Sequence, residues 1–142
     1  MLKKISPLIS PELLKVLAEM GHGDEILLAD ANFPAHSCKA KIAVRADGIG
    51  IPALLDAVLE LFPLDTFVEQ PVVMMNVVKG DDYAPEVWPE YYRILAKYGA
   101  GEDKIQRLDR FPYYDRADQA YCVVASGETA RYGNVILKKG VI

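Results

Sequence analysis

Histidine and cysteine are scarce in this chain: two of each in 142 residues, with a single tryptophan. The cysteines, Cys38 and Cys122, stand far apart and in no metal-ligand spacing. That excludes a disulfide framework and predicts reduced thiols in a cytoplasmic protein. No apolar run approaches the length that spans a membrane. The opening segment, Met1 to Pro7, starts basic but develops no apolar core of a signal peptide. A basic stripe is also missing. The net charge is -4, Lys and Arg are scattered, and no cluster exceeds the pairs Lys3-Lys4 and Lys138-Lys139, so neither nucleic acid nor a membrane is an expected partner. GxGxxG, Walker and GxSxG signatures and a catalytic-cysteine arrangement are absent as well, which removes motif support for nucleotide-dependent and covalent chemistry.

What the chain does have is ordinary globular composition, 51% apolar and 25% charged, at a length that suits one domain spanning residues 1–142. Ser10-Pro11-Glu12 reads as a helix start, with a capping hydroxyl, a first-turn proline and an acid at the positive end of the dipole. Leu13, Leu14, Leu17 and Met20 follow at helical spacing, and Gly21 is a natural stop. Pro52 opens a second helix with Leu54, Leu55, Val58, Leu59 and Phe62 on one face. A third runs from Pro85 to Tyr98, striped by Val87, Tyr91, Ile94, Leu95 and Tyr98, and a brief fourth ends at Asp118. Strands are predicted at residues 26–29, 41–45, 71–78, 105–109, 120–125 and 135–138. This alternation predicts an α/β fold, a single layered domain with a mixed, largely parallel sheet flanked by helices.

The stretch Gly21-His22-Gly23-Asp24-Glu25, followed by the strand Ile26-Leu27-Leu28-Ala29 and then Asp30, carries the best candidate site. Asp30 falls at the C-terminal end of a strand, where open α/β sheets bind ligands. As a histidine, His22 suits proton exchange; equally, it suits a helix terminus, bonding the last carbonyls. Asp30 fits a ligand site and also a capping turn. His36 reads as a loop or interface histidine. His22, Asp24, Asp30 and His36 are metal-ligand types but show neither HxxxH nor HxH spacing, so no metal is predicted. Arg131-Tyr132-Gly133-Asn134 is a turn before a strand, or a sugar platform in which a ring covers the apolar face of a pyranose while an amide bonds its hydroxyls. Arg107, Arg110, Tyr113 and Tyr114 read as solvated charges and half-buried rings. The tyrosine-rich third helix reads as core or subunit contact.

The segments Ser6 to Leu14, Gly21 to Glu25, Asp30-Ala31-Asn32-Phe33-Pro34 and Arg45-Ala46-Asp47-Gly48 together resemble the L-fucose mutarotase family, relatives of D-ribose pyranase. So do Val73-Met74-Met75, Gly127-Glu128 and Tyr132 to Val141. The resemblance runs end to end. It implies cofactor-free interconversion of α and β pyranoses, with His22 as catalytic proton donor and Asp30, Arg110, Tyr132, Gly133 and Asn134 binding a monosaccharide. It also implies a ring-shaped decamer of two pentamers with sites at subunit boundaries. Ribose pyranase activity, a non-catalytic sugar-binding protein and a metal-dependent hydrolase are the alternatives. The mechanism expected is acid/base ring opening and reclosure, which needs neither metal nor nucleotide.

Overall fold

The computed structural model describes residues 1–142. Four helices, α1 (Pro11–Glu19), α2 (Ile51–Leu59), α3 (Trp88–Lys97) and α4 (Arg110–Asp118), accompany six strands. The strands are β1 (Glu25–Ala29), β2 (Ile42–Ala46), β3 (Val72–Met75), β4 (Ile105–Leu108), β5 (Cys122–Ser126) and β6 (Val135–Lys138). They form one mixed sheet in the order β2-β5-β1-β6-β3-β4. The pairs β1/β5, β2/β5 and β3/β4 are parallel, while β6 pairs antiparallel with both β1 and β3. Five strands therefore point one way, and β6 alone runs against them in the middle of the sheet. No helix is long and apolar enough to cross a membrane.

Alternation along the strands divides the core in two, because successive side chains leave a strand on opposite faces. Ile26, Leu28, Val72, Met74, Val124, Val135 and Leu137 pack under α1, α2 and α3. Leu27, Ala29, Val73, Met75, Val123 and Ile136 pack on the other face against Tyr113 and Ala117 of α4. Burial on both faces explains why β1 and β3 read as unbroken apolar runs. The edge strand β2 instead keeps Ala43 and Arg45 exposed. The two cysteines sit on opposite sides of the sheet: Cys122 in the larger core, Cys38 near α4, its Sγ donating to the Ala117 carbonyl at 3.3 Å. Burial pushes the Cys122 thiol up to about 12.

Helix α1 begins as its sequence predicts, with the Ser10 hydroxyl accepting from the Leu13 N–H at 3.1 Å. Its end differs. Met20 leaves the helix in an extended conformation, and the left-handed glycine of the following turn is Gly23, at φ +85°, not Gly21. The last turn's carbonyls have another partner: Lys139 Nζ donates to Leu17 and Met20 oxygens at 2.8 and 2.5 Å. With those acceptors satisfied, a glycine cap is unnecessary.

The start of β1 is held by charge. Glu25, nearly buried, accepts two bonds from Arg116 of α4 at 2.6 and 2.7 Å, and Lys138 lies 3.6 Å away. Arg116→Met leaves that carboxylate to Lys138 alone at 3.6 Å and removes two charged hydrogen bonds, so a loss of about 2 kcal/mol in unfolding free energy is expected. Chemical denaturation measures it. A loss below about 0.5 kcal/mol, the scale of a surface pair, would show that the ion pair does not anchor α4.

Candidate active site

Because five strands share one direction and β6 opposes them, the chain collects polar groups at one edge of the sheet. Asp30 follows the end of β1, Asn134 precedes the start of β6, Asn76 follows β3, and Arg110 opens α4 just after β4. The Asp30 N–H donates to Asn134 Oδ1 at 2.8 Å, and Asn134 Nδ2 donates back to Asp30 Oδ2 at 2.9 Å. The other carboxylate oxygen accepts from the Asn32 N–H at 3.0 Å. Burial pushes the Asp30 carboxyl above its ordinary range, opposed by the backbone N–H groups of Asn32, Gly133 and Phe33 and by the Asn134 amide. These groups floor a cleft of about 190 Å³, space for roughly six waters or one monosaccharide. Arg110 and Arg131 line it alongside Phe33, Met75, Val78, Tyr114 and Tyr132. The Arg110 guanidinium lies 5.6 Å from the Tyr114 ring and 5.7 Å from Phe111.

The strap Arg131-Tyr132-Gly133-Asn134 is held from behind by α3. Trp88 Nε1 donates to the Tyr132 carbonyl at 2.9 Å, and the buried Tyr91 hydroxyl donates to the Gly133 carbonyl at 2.9 Å. Tyr132 has φ +58°, a left-handed conformation that costs a non-glycine residue about 1 kcal/mol. Its hydroxyl donates to Asp81 at 2.7 Å. That bond is the main reason the Asp81 carboxyl lies below its usual range. At Gly133 a Cβ would come 3.0 Å from the Ala130 carbonyl, 3.1 Å from Glu128 Cγ and 3.3 Å from the Tyr91 hydroxyl. Gly133 thus serves the packing of the strap. Glu128 anchors the start of the same loop, accepting from Ile51 at the head of α2 at 3.2 Å and from Ala130 at 3.0 Å.

His22 lies elsewhere. It precedes β1 while Asp30 follows it, so the two are separated by at least the strand's length, about 16 Å. Within one chain the His22 imidazole and the Asp30 carboxylate do not meet. His22 Nε2 instead bonds Asp65 Oδ1 at 3.2 Å. Asp65 is buried, accepts from the Phe67 N–H at 2.9 Å, and is held below the usual carboxylate range by that backbone bond and then by His22. An ionised acceptor makes Nε2 the protonated nitrogen and leaves Nδ1 free. The ring is 46% exposed and packs 5.3 Å from Phe67, itself 74% exposed. His36 meets Arg45 at 3.1 Å on the surface. No three His, Cys, Asp or Glu side chains converge as metal ligands.

Asp65 belongs to no motif, and nothing local in the sequence marks it as the partner of a histidine 43 positions earlier. Trp88 and Tyr91 carry the helical periodicity of core residues, so their role behind the strap is equally invisible there. Met75 and Phe33 read only as strand and loop. Tyr113, expected as a half-buried ring, is wholly buried under the sheet.

A model of the RbsD / FucU transport protein family matches residues 3–142. The chain belongs to that family. It is 55% identical over 141 residues to an L-fucose mutarotase of Actinobacillus pleuropneumoniae serotype 5b (strain L20), covering 99% of this chain and 97% of that one. Its fold matches a fucose mutarotase of Streptococcus pneumoniae, solved in complex with L-fucose, with a TM-score of 0.95 and 50% identity over 99% of both chains. Bacillus subtilis RbsD, solved with D-ribose, matches at TM-score 0.78 and 22% identity over 100% of this chain and 99% of that one, a likeness of fold alone.

Two outcomes follow from the site's geometry. Asp30 has a raised folded-state pKa, so the folded protein binds that proton more tightly than the unfolded chain. Its contribution to stability therefore falls as pH rises from about 3.8 through the raised value, and stays low above it. Asp30→Asn sets an amide NH2 against either the Asn32 N–H or the Asn134 Nδ2, both donors, so it is expected to lower Tm at neutral pH while flattening the stability profile through the acid range. An acid-range profile as steep as that of wild type would refute the burial cost. Gly140→Ala is expected to displace Asp65, because a Cβ there lies 2.6 Å from the Leu64 carbonyl and 2.8 Å from Asp65 Cα. Nitrogen-15 shifts of the His22 ring should then lose the fixed Nε2–H tautomer. Unchanged shifts would mean the dyad tolerates the intrusion.

Proposed function

We propose that this protein interconverts the α and β anomers of L-fucopyranose. The 55% identity to an L-fucose mutarotase along nearly the whole of both chains carries this reading. A cleft sized for one sugar, floored by a carboxylate and an amide already in register, supports it. Ring opening moves a proton from the anomeric O1 to the ring O5. The O1–H electron pair becomes the C1=O1 π bond, and the C1–O5 bond breaks with its pair going to O5. Rotation about C1–C2 and the reverse steps close the ring on the other face. In this proposal His22 takes the O1 proton at Nδ1 and returns it to O5. Asp30 and Asn134 bind hydroxyls, Arg110 donates from the rim, and the Tyr132 ring and Gly133 shape the wall. Acid/base assistance of this kind supplies about 10²- to 10⁴-fold, enough for a reaction that already proceeds in water. The chemistry needs no cofactor.

Since His22 and Asp30 lie at opposite ends of β1, a sugar touching both requires two copies of the chain, the His22 end of one meeting the Asp30 end of the next. Head-to-tail contacts of that kind close into rings. The ring-shaped decamer is proposed on this ground together with the family resemblance, and a cytoplasmic location on the scarcity of cysteine. Ribose as substrate has support from a fold likeness alone.

Saturation-transfer NMR on the anomeric protons tests the reading. Wild type should accelerate exchange of L-fucose, and His22→Ala should lower the catalysed rate by about 10²- to 10⁴-fold. Exchange at the buffer rate with wild type on fucose, ribose and galactose alike would leave a binding role only. Co-expressed His22→Ala and Asp30→Ala chains, each inactive alone, should recover about a quarter of wild-type activity, the chance that an interface pairs two intact halves in a closed ring. No recovery would sink the shared site.

A further inference from the structure

The cleft sets the Asp30–Asn134 pair beside an apolar stretch, with Arg110 at the rim against Tyr114, and the sheet fixes the spacing. Asn134 lies between β1 and β3, because β6 pairs with both. The β3/β6 register aligns Met74 with Val135, so its continuation places Asn134 across from Met75. Asn134 lies two residues from Ile136 along β6, and Met75 two from Val73 along β3, so both share the α4 face. Adjacent strands are about 4.8 Å apart, which sets the Met75 thioether one strand from the Asn134 amide and two from Asp30. Phe33 and Tyr114 meet edge to face at 5.6 Å on the same face, and Val78 continues the apolar wall toward solvent at 41% exposure. None of these side chains except Tyr114 carries a hydroxyl or amide to receive another.

For a pyranose held by Asp30 and Asn134 through its hydroxyls with its C5 edge on this wall, an ordinary hexose presents a hydroxymethyl group there and L-fucose presents a methyl. We propose that Met75, with Phe33 and Val78, is the specificity-determining wall of the site, selecting a 6-deoxy sugar by receiving its C6 methyl and leaving a C6 hydroxyl without a partner. This rests on the mutarotase reading for its substrate class, but the wall itself is a property of the cleft. A hydroxyl placed there gives up its bonds to water and gains none from sulfur or hydrocarbon. The unsubstituted pentose gives up no such bond and forfeits only the burial of one methyl.

Three sugars that share configuration around the ring isolate the effect: L-fucose, L-galactose with a hydroxymethyl at C5, and D-arabinopyranose with hydrogen there. Affinity is measured by calorimetry, and catalysed anomer exchange by NMR above the buffer rate. L-Fucose should bind and react best, with D-arabinose lower by about fourfold and L-galactose lower by about 10- to 100-fold. Met75→Gln offers the missing partner and should shift the fucose-to-galactose ratio toward galactose by about tenfold. Val78→Asn, at a more exposed position, should shift it in the same direction by less and covers the case in which Met75→Gln does not fold. Equal affinity for L-fucose and L-galactose, or a ratio that neither variant moves, overturns the wall. The expected order of affinities without catalysed exchange keeps the wall and removes the mutarotase reading.

Discussion

The mutual hydrogen bonding of Asp30 and Asn134 is the contact on which the site depends, and it exists because one strand runs backward. Had β6 joined the sheet parallel to its neighbours, Asn134 would stand at the far edge, beside Glu25. Antiparallel insertion between β1 and β3 instead brings the start of β6 level with the ends of the other strands. Two residues 104 positions apart then bond each other at both backbone and side chain. Both bonds occupy lone pairs and N–H groups that would otherwise be solvated, while each carboxylate oxygen retains capacity for a ligand hydroxyl. Burial keeps that carboxylate poorly solvated and responsive to a polar ligand.

Everything behind the pair serves to hold it still. Tyr132 is in a backbone conformation that a tyrosine resists, and the indole of Trp88 and phenol of Tyr91 secure the carbonyls on either side. Glu128 ties the loop to the head of α2, and Gly133 admits the approach of Tyr91. α3 is therefore both core and scaffold: its apolar stripe pays for burial, and its two polar aromatic tips orient the strap. Strain at a cleft-lining residue, maintained by surrounding bonds, is a common feature of sites that must be preorganised.

At the opposite edge a second arrangement has the same character. The turn carrying His22 is clamped by the C-terminal segment: the Gly23 N–H donates to the Lys139 carbonyl, the Lys139 N–H to Asp24, and the Asp65 N–H to Lys138. Asp65 is buried, while the imidazole it holds reaches outward beside an exposed Phe67. One edge of the molecule thus presents a recessed carboxylate, and the other a projecting, oriented imidazole. The proposed ring would bring these unlike ends together head to tail.

The sequence by itself determined the elements and the residue types. Six strands and four helices were legible from periodicity, proline placement and the Ser10 cap, local properties of a chain that must bury apolar faces, although β3 stops at Met75 short of Val78 and α3 begins at Trp88 instead of Pro85. The position of Asp30 at a strand end was legible for the same reason, as was the polar turn from Arg131 to Asn134. Strand order and the direction of β6 were not, because they depend on which strands meet across long separations. With them went the Asp30–Asn134 bonds, the Asp65 partner of His22, the positioning roles of Trp88 and Tyr91, and the apolar wall at Met75. His22 and Asp30 are close in sequence and far apart in the folded chain, because the strand between them is extended at about 3.3 Å per residue. Sequence proximity joined them; only the tertiary structure set them at opposite edges.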